Sequence, residues 1–283
     1  MQEHNQRGEV VTTASIPLWA RAVEQQRPNP ILVDKLAPSI LAAAGFDTSA
    51  YSDSIMSQVG CCIRAMLIDR IVETFAARHT PCVAIQLGAG LDARFQRLTH
   101  PEHFTQWYDL DLPEAIALRR KIIPPPARNE YIAESLFSES WMEQLAKAGL
   151  PVIIIIEGVV MYFSDAQMHT FFNALAKHFP QGAQLAMDLV PPMAIGRGKY
   201  HDSVKKAGKS VEFTWTVEPS AFDTLNPRLL CEEVYYLTDH DYTKRFPWMY
   251  RAACRIPKLR RMCNQRVVSV RLAPLGEGKH IDS

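Results

Sequence analysis

Hydrophobic and polar positions follow two periods along this chain, and the change between them outlines its organisation. Short runs rich in apolar and aromatic residues predict buried strands near 82–87, 105–110, 130–133, 152–157 and 183–189. Between these runs, apolar residues recur at intervals of three and four, which predicts helices over 113–121, 138–148 and 165–178. Such alternation is typical of a parallel sheet covered by helices on both faces.

The two ends of the chain depart from this alternation. In the N-terminal part, helical spacing over 16–44 is interrupted by three prolines, which predicts short helices, and a longer amphipathic helix follows over 56–78. In the C-terminal part, two further strands are predicted at 229–237 and 266–272. The chain is therefore predicted to be an α/β protein with additions at both ends of a central sheet.

Composition sets broad limits on location and partners. A chain of 283 residues with 47% apolar residues can bury a full core as one large domain. Its net charge of +1 gives no overall attraction to nucleic acid or to anionic membranes. The first residues lack the apolar segment of a secretory signal, and the six cysteines contain no C-x-x-C pair. We therefore expect a cytoplasmic protein with free thiols.

The most informative chemistry lies where the first predicted strand ends. This strand runs directly into Gly88 and Gly90, and glycines allow a ligand to approach the backbone closely. The helix predicted after the turn would offer free N–H groups at its N-terminus. Asp111 ends the next strand about 20 residues later, the spacing at which a carboxylate meets a ribose diol. The pattern predicts a nucleotide-binding corner.

Spacing alone does not select the cofactor, because 88–93 also fits the G-x-G-x-x-G/A pattern of NAD-binding proteins. Charge separates the two possibilities. Asp92 lies inside the turn, Glu157 follows the apolar run 152–156, and no Lys or Arg occurs within 88–93. Such carboxylates suit S-adenosylmethionine (SAM), a cation without phosphate, and would repel a dinucleotide. The alternative is that Asp92 only caps a helix and Glu157 is only a polar strand-end residue.

Three motifs occur in a fixed order along the chain: LGAGLDAR at 87–94, YDLDLPE at 108–114 and EGVVMYF at 157–163. With them the chain resembles the leucine carboxyl methyltransferase family, in its bacterial branch of polyketide O-methyltransferases. The resemblance implies a class I SAM-methyltransferase fold, a Rossmann-like doubly wound sheet with an antiparallel last strand. It also implies an N-terminal helical cap over 1–79 and a SAM-binding domain over 80–283, with a substrate-lid insertion over 191–218 after the fifth strand.

The resemblance further implies roles for the matched residues. Gly88 and Gly90 would let the methionine part of SAM lie against the backbone, and Asp111 would bind the ribose hydroxyls. Arg64, in the helix before the first strand, would pair with the SAM carboxylate. Glu157 would face the SAM ammonium group.

The adenine end of the cofactor is where this chain departs from the family. Ser135 and Leu136 would border the adenine, but Ser135 stands where the family usually has Asp. Either Ser135 or the neighbouring Glu134 makes that contact. Asp92 completes the predicted cofactor-binding set.

The acceptor is less well defined than the cofactor. A carboxylate is already ionised at neutral pH and needs no base, whereas a phenol, with a pKa of about 10, gains from one. No motif fixes a base, which favours a carboxylate acceptor and a methyl ester product. The candidate catalytic residues are His201 and Tyr162, although a lone histidine is more commonly a surface residue. Residues expected to bind the acceptor are Tyr162, Tyr200, His201 and Trp215.

Two other functions remain open from the sequence. One is methylation of a protein C-terminal leucine, and the other is a non-catalytic module that binds SAM or a nucleotide. The segment 242–276 carries nine Lys or Arg residues and no acid. It is predicted to be either a solvated cationic face or a surface that attracts an acidic substrate or partner.

The remaining expectations concern metals and partners. His100 and His103 have the spacing H-x-x-H, but no other cluster of ligands supports them, so they are predicted to be loop residues and no metal is expected. The expected partner is a small acidic molecule, with neither nucleic acid nor membrane. The protein is expected to be a monomer or a homodimer.

Overall fold

A computed structural model describes residues 15–197 and 212–277, and seven strands form one sheet within them. The strands are β1 (Cys82–Leu87), β2 (Phe104–Asp111), β3 (Asn129–Ala133), β4 (Val152–Ile156), β5 (Ala183–Leu189), β6 (Leu229–Tyr236) and β7 (Arg266–Leu272). Their order across the sheet is β3-β2-β1-β4-β5-β7-β6. Strands β1 to β5 are parallel, and β7 runs antiparallel to both of its neighbours. This arrangement confirms the predicted doubly wound α/β sheet with an antiparallel last strand.

The helices of the described residues surround this sheet. They are α1 (Ser15–Glu24), α2 (Ala37–Ala44), α3 (Ile55–Arg78), α4 (Arg94–Arg97), α5 (Pro113–Ile122), α6 (Glu139–Ala146), α7 (Asp165–His178), α8 (Phe222–Leu225), α9 (Trp248–Ala253) and α10 (Pro257–Cys263). None of them combines the length and the apolar character that a helix needs to cross a bilayer. One sequence prediction needs correction, because the helix after the glycine turn, α4, is a single turn of four residues.

Local sequence explains where α7 begins. The Ser164 hydroxyl accepts a hydrogen bond from the Gln167 N–H at 3.3 Å, and the Gln167 side chain accepts one from the Ser164 N–H at 2.9 Å. This capping box satisfies two backbone donors that the first turn of a helix leaves unpaired. The helix therefore starts at Asp165, as the sequence pattern predicts.

Alternate residues of β4 face opposite sides of the sheet, and both sides are covered. Ile153 and Ile155 pack in one apolar cluster with residues of α3, whereas Ile154 and Ile156 pack in a second cluster with α6 and α7. Burial on both faces explains the continuous apolar sequence of this strand. Helix α3 therefore belongs to the layer that covers the sheet. The division of the chain at residue 79 into a cap and a SAM-binding domain stays a prediction.

Part of the predicted lid insertion is not among the described residues. Its two ends, 191–197 and 212–218, are described, and its middle, 198–211, is not. The predicted acceptor residues Tyr200 and His201 lie in that middle part.

Candidate cofactor-binding site

The predicted cofactor residues come from loops and strand ends at the carboxyl edge of the parallel strands. β1 leads into Gly88 and Gly90, β2 ends at Asp111, and Glu157 directly follows β4. Asp188, near the end of β5, joins them through a hydrogen bond from the Gly158 N–H at 2.6 Å. Ligands of doubly wound sheets bind at this edge. It is therefore the candidate site.

The glycine turn is tied directly to the end of β2. The Gly90 N–H donates to the Asp111 carboxylate at 2.7 Å, and the Leu112 N–H donates to the same carboxylate at 2.7 Å. Burial raises the pKa of Asp111, while these two N–H groups act in the opposite direction. A carboxylate has about four acceptor positions, so two accepted bonds leave capacity for the hydroxyls of a ribose.

The first glycine of the turn is required for both conformation and space. Gly88 has a φ of +65°, in the left-handed region that residues with a side chain rarely adopt. A Cβ atom at this position would lie 2.4 Å from Cγ2 of Val159. A larger residue at position 88 would therefore have to displace the Val159 side chain, which lies in the loop that follows β4.

Replacing Gly88 by alanine is expected to lower the free energy of unfolding by about 1–3 kcal/mol more than replacing Gly45 does, the usual cost of overpacking. Gly45 is a matched control, because it also has a φ of +65° but a Cβ atom added there would have no other atom within 4 Å. Urea unfolding followed by tryptophan fluorescence measures both losses. Equal losses in the two variants would contradict the close contact with Val159.

A buried network of ion pairs underlies the site. Its four arginines are Arg21, Arg64, Arg94 and Arg97, and its five carboxylates are Asp34, Asp69, Asp92, Glu157 and Asp188. Arg94 is fully buried at the centre, where it lies 2.7 Å from Asp69 and 3.4 Å from Asp92 and also pairs with Glu157. The network therefore compensates four of its five carboxylates, and Asp111 lies outside it.

This compensation corrects the sequence-based picture of bare carboxylates around the turn. Burial alone would raise the pKa of Asp92, but Arg21, Arg97 and Arg94 hold it well below its usual range. Asp92 does not cap α4 either, since the N-cap position is Ala93 and no side chain caps the helix. Its carboxylate pairs with Arg21, Arg94 and Arg97, and its contact with the cofactor remains a prediction.

Arg64 and Glu157, predicted to bind opposite ends of the amino-acid part of SAM, pair with each other. The Arg64 Nε donates to Glu157 at 2.9 Å, and its Nη1 donates to Asp188 at 3.3 Å. Burial alone would raise the pKa of Glu157, but Arg64 and Arg94 lower it. Asp188 was not predicted from the sequence, although a single acid in the apolar strand AQLAMDL is a signal for it. The contacts of Arg64 and Glu157 with SAM remain predictions.

The chemistry of the unpaired polar atoms at this edge fits a zwitterionic ligand. Gln86 Oε1 and Arg94 Nη1 are buried and have no hydrogen-bond partner among the described residues. The first is an acceptor and the second is a donor, so they complement the ammonium and carboxylate groups of an amino acid. Buried polar atoms nearly always have partners, and exceptions require an explanation such as a ligand.

Asp109, the other acid of β2, is fully engaged inside the protein. It accepts hydrogen bonds from Trp107 Nε1 at 3.0 Å, from Arg119 at 2.5 Å and from Asn129 Nδ2 at 2.8 Å. Arg119 also donates to the Gly90 carbonyl at 3.0 Å, which anchors the glycine turn from below. The acceptor positions of Asp109 are thus used by donors inside the protein, whereas Asp111 keeps acceptor positions for a ligand. The alternation of side chains along a strand cannot separate these two roles, because it places both acids on the same face.

The predicted adenine-binding segment lies directly beside Asp111. The Glu134 N–H donates to the Asp111 carbonyl at 3.1 Å, as β3 ends there. The exposed Ser135 hydroxyl accepts from the Phe137 N–H at 3.2 Å, and Leu136 is half-buried. This segment is in place to border a nucleoside, and its contact with adenine remains a prediction.

The predicted acceptor residues that are described occupy different environments. Tyr162 is exposed, and its ring lies 5.8 Å from that of Phe213. Trp215 is buried beside Phe172, and its indole N–H donates to Asp165 at 3.2 Å. Trp215 is therefore a core residue, and its position does not support its assignment as a substrate contact.

The histidine pair lies at the other edge of the sheet, just before β2. His100 Nδ1 lies 2.9 Å from Glu102, and His103 ends a short 3₁₀ turn. These three residues are the only group of three potential metal ligands in the described part of the chain. They are far along β2 from the glycine turn, so they take no part in the candidate cofactor site.

Comparisons with known proteins agree with this geometry. The model of the leucine carboxyl methyltransferase family matches residues 14–176. The chain is 26% identical over 226 residues to the tetracenomycin polyketide synthesis O-methyltransferase TcmP of Streptomyces glaucescens, covering 80% of this chain and 82% of that protein. It is 25% identical over 256 residues to the S-adenosyl-L-methionine-dependent methyltransferase dpfgK of Gibberella zeae, covering 84% and 86%.

Solved structures show the same fold at low sequence identity. A putative methyltransferase from Thermobifida fusca matches with a TM-score of 0.56 and 12% identity, covering 92% of this chain and 94% of that one. A DUF574 family protein from Streptomyces avermitilis matches with a TM-score of 0.56 and 11% identity, covering 93% and 97%. The fold of the seven-stranded sheet with its helices therefore recurs in other proteins.

Proposed function

The chain belongs to the leucine carboxyl methyltransferase family, and we propose that it transfers the methyl group of SAM to a carboxylate of a small acidic molecule. The product would be a methyl ester, in secondary metabolism of the polyketide type. The names of the two relatives support a SAM-dependent reaction, and that of TcmP supports a polyketide-like acceptor.

The position of Asp111 is the observation that carries this proposal. Its carboxylate ends β2, accepts hydrogen bonds from the N–H groups of Gly90 and Leu112, and keeps about two of its four acceptor positions. The neighbouring Asp109 has no such capacity, because it is fully buried with three donors. A single available acid after the glycine turn matches the recognition of a ribose diol.

SAM, when bound, supplies a methyl group activated by a positively charged sulfur. The residues of the chain supply position rather than acid–base chemistry. Asp111 orients the ribose, and the glycine turn lets the methionine part of SAM lie against the backbone. The ion-pair network around Arg94 holds these elements in one arrangement before SAM binds. An acceptor carboxylate is ionised at neutral pH, so no side chain has to remove a proton.

The identity of the acceptor group can be tested through the product. Methyl esters release methanol in mild alkali and methyl ethers do not, so labelled SAM distinguishes a carboxylate from a phenol acceptor. Small aromatic acids and a peptide ending in leucine, offered in parallel, separate the proposed activity from methylation of a protein terminus. Alkali-stable label, or transfer to the peptide alone, would contradict the proposal.

Replacing His201 by alanine is expected to leave turnover within a few-fold, because the reaction requires no general base. His100→Ala is the matched control, since His100 lies at the opposite edge of the sheet. The rate of methyl transfer at saturating SAM measures both variants. A specific loss of about 100-fold or more in His201→Ala would identify a general base, which typically contributes 10²–10⁴-fold, and would favour a phenol acceptor.

A further inference from the structure

Helices α9 and α10 and the turn between them leave a group of large apolar side chains in solvent. The group consists of Trp248, Met249, Ile256, Leu259 and Met262. Trp248 is 73% exposed, whereas each of the other four tryptophans is at most 6% exposed. A concentration of exposed apolar side chains marks an interaction site. These five residues, with the cations described next, are here named the α9–α10 surface.

Cations lie beside these apolar side chains. Leu259 and Met262 are spaced three apart on α10, as are Lys258 and Arg261, so an apolar row and a cationic row run side by side. The preceding turn adds one residue of each kind, Ile256 and Arg255. These three cations pair with no carboxylate of the described chain, in contrast to Arg260, which pairs with Asp239. The sequence 242–276 has no acid at all.

We propose that the α9–α10 surface binds the interface of an anionic phospholipid bilayer. Tryptophan is favoured at the headgroup level of membranes, and apolar side chains bordered by Lys and Arg are typical of segments that lie in the interface. Each cation near an anionic leaflet adds to the attraction. A second copy of the chain fits this surface less well, because a symmetric contact would bring the same cations together.

This proposal revises the expectation that no membrane is a partner. That expectation rested on the net charge of +1, which averages over the whole chain. Four cations of 242–276 pair with carboxylates from outside this segment, namely Arg245, Arg260, Arg266 and Arg271. The three cations of the α9–α10 surface have no such partner among the described residues, so the net charge conceals a local excess of positive charge there. Local charge rather than net charge determines attraction to a surface within about 8–10 Å at physiological ionic strength.

The position of the α9–α10 surface adds a functional consequence. Helix α10 lies beside the turn Pro192–Ala194, which follows β5 and leads into the predicted lid insertion. Met193 in this turn is also exposed. The surface therefore adjoins the segment expected to cover the acceptor. This placement suits an acceptor acid that partitions into lipid. The identification of an acid as the acceptor rests on the proposed function.

Cosedimentation with vesicles tests the proposal. The protein is expected to sediment with vesicles of phosphatidylcholine and phosphatidylserine, less so at high salt, and not with phosphatidylcholine alone. Lys258→Glu combined with Arg261→Glu is expected to weaken binding at least about tenfold. Lys121→Glu combined with Lys147→Glu is the matched control, because these exposed lysines lie outside the surface, and binding should be retained.

Trp248 provides a second readout, because the other tryptophans are buried. Brominated lipids are expected to quench its fluorescence, and Trp248→Phe should remove this quenching. Equal binding to both kinds of vesicle, no quenching, or no effect of the charge reversals would overturn the proposal. Binding of poly-glutamate instead of the anionic vesicles, with the same dependence on Lys258 and Arg261, would assign the surface to an acidic protein and overturn it as well.

Discussion

Replacing Arg94 by methionine is expected to lower the free energy of unfolding by about 3–5 kcal/mol, the usual cost of removing one partner from a buried ion pair. Arg94 is fully buried and pairs with Asp69, Asp92 and Glu157. Methionine keeps much of the side-chain volume but leaves these carboxylates with fewer cations. Urea unfolding measures the loss.

Arg271→Met is the matched control, since Arg271 is partly exposed and pairs with Glu232 and Glu277. An exposed pair contributes about 0–1 kcal/mol. In Arg94→Met the pKa values of Asp92 and Glu157 should rise. Protonation of these carboxylates as the pH falls should therefore reduce the loss of unfolding free energy that the substitution causes. A loss no larger than that of Arg271→Met, or one independent of pH, would show that the buried network does not stabilise the protein through charge.

Replacing Asp111 by alanine is expected to weaken SAM binding by about 1.5–3 kcal/mol, the range for hydrogen bonds to a charged group. Because burial raises the pKa of Asp111, its carboxylate takes up a proton at a higher pH than an exposed aspartate. Affinity should therefore fall as the pH is lowered toward this raised pKa. Asp111→Asn, which has no titrating group at this position, should lose this part of the pH dependence. Calorimetric titration across a pH series measures both effects.

Asp109→Ala is the comparison that tests the assignment within β2. Asp109 holds Arg119 and Asn129 in the interior. Asp109→Ala should therefore lower the free energy of unfolding more than it lowers the affinity of the folded protein for SAM. The opposite pattern, in which folded Asp109→Ala loses SAM binding and Asp111→Ala does not, would show that the wrong carboxylate has been assigned to the ribose.

Much of the fold is predictable from the sequence because burial determines which positions along the chain are apolar. The run VIIII of β4 is continuous since both faces of the strand are covered, and α7 begins where a serine and a glutamine can form a capping box. The sequence also predicts that one edge of the sheet carries Gly88, Asp111 and Glu157, because parallel strands end on the same side.

The pairing of charges could not be predicted in the same way. Arg94 meets Asp69 from α3 and Glu157 from the loop after β4, and these partners lie 25 and 63 residues away in the chain. The local sequence shows an acid in the turn and an arginine after it, but only the fold determines which charges meet. Trp215 illustrates the same limit, because an aromatic residue in a predicted insertion is compatible with either a pocket or the core.

Calorimetry with S-adenosylhomocysteine, the demethylated product of SAM, and with NAD shows which class of cofactor the glycine turn binds. The glycine turn fits both classes of cofactor, and the arginines near it reduce the repulsion that bare carboxylates would exert on a dinucleotide. We expect S-adenosylhomocysteine to bind in the micromolar range and NAD not to bind. Micromolar binding of NAD without binding of S-adenosylhomocysteine would contradict this expectation.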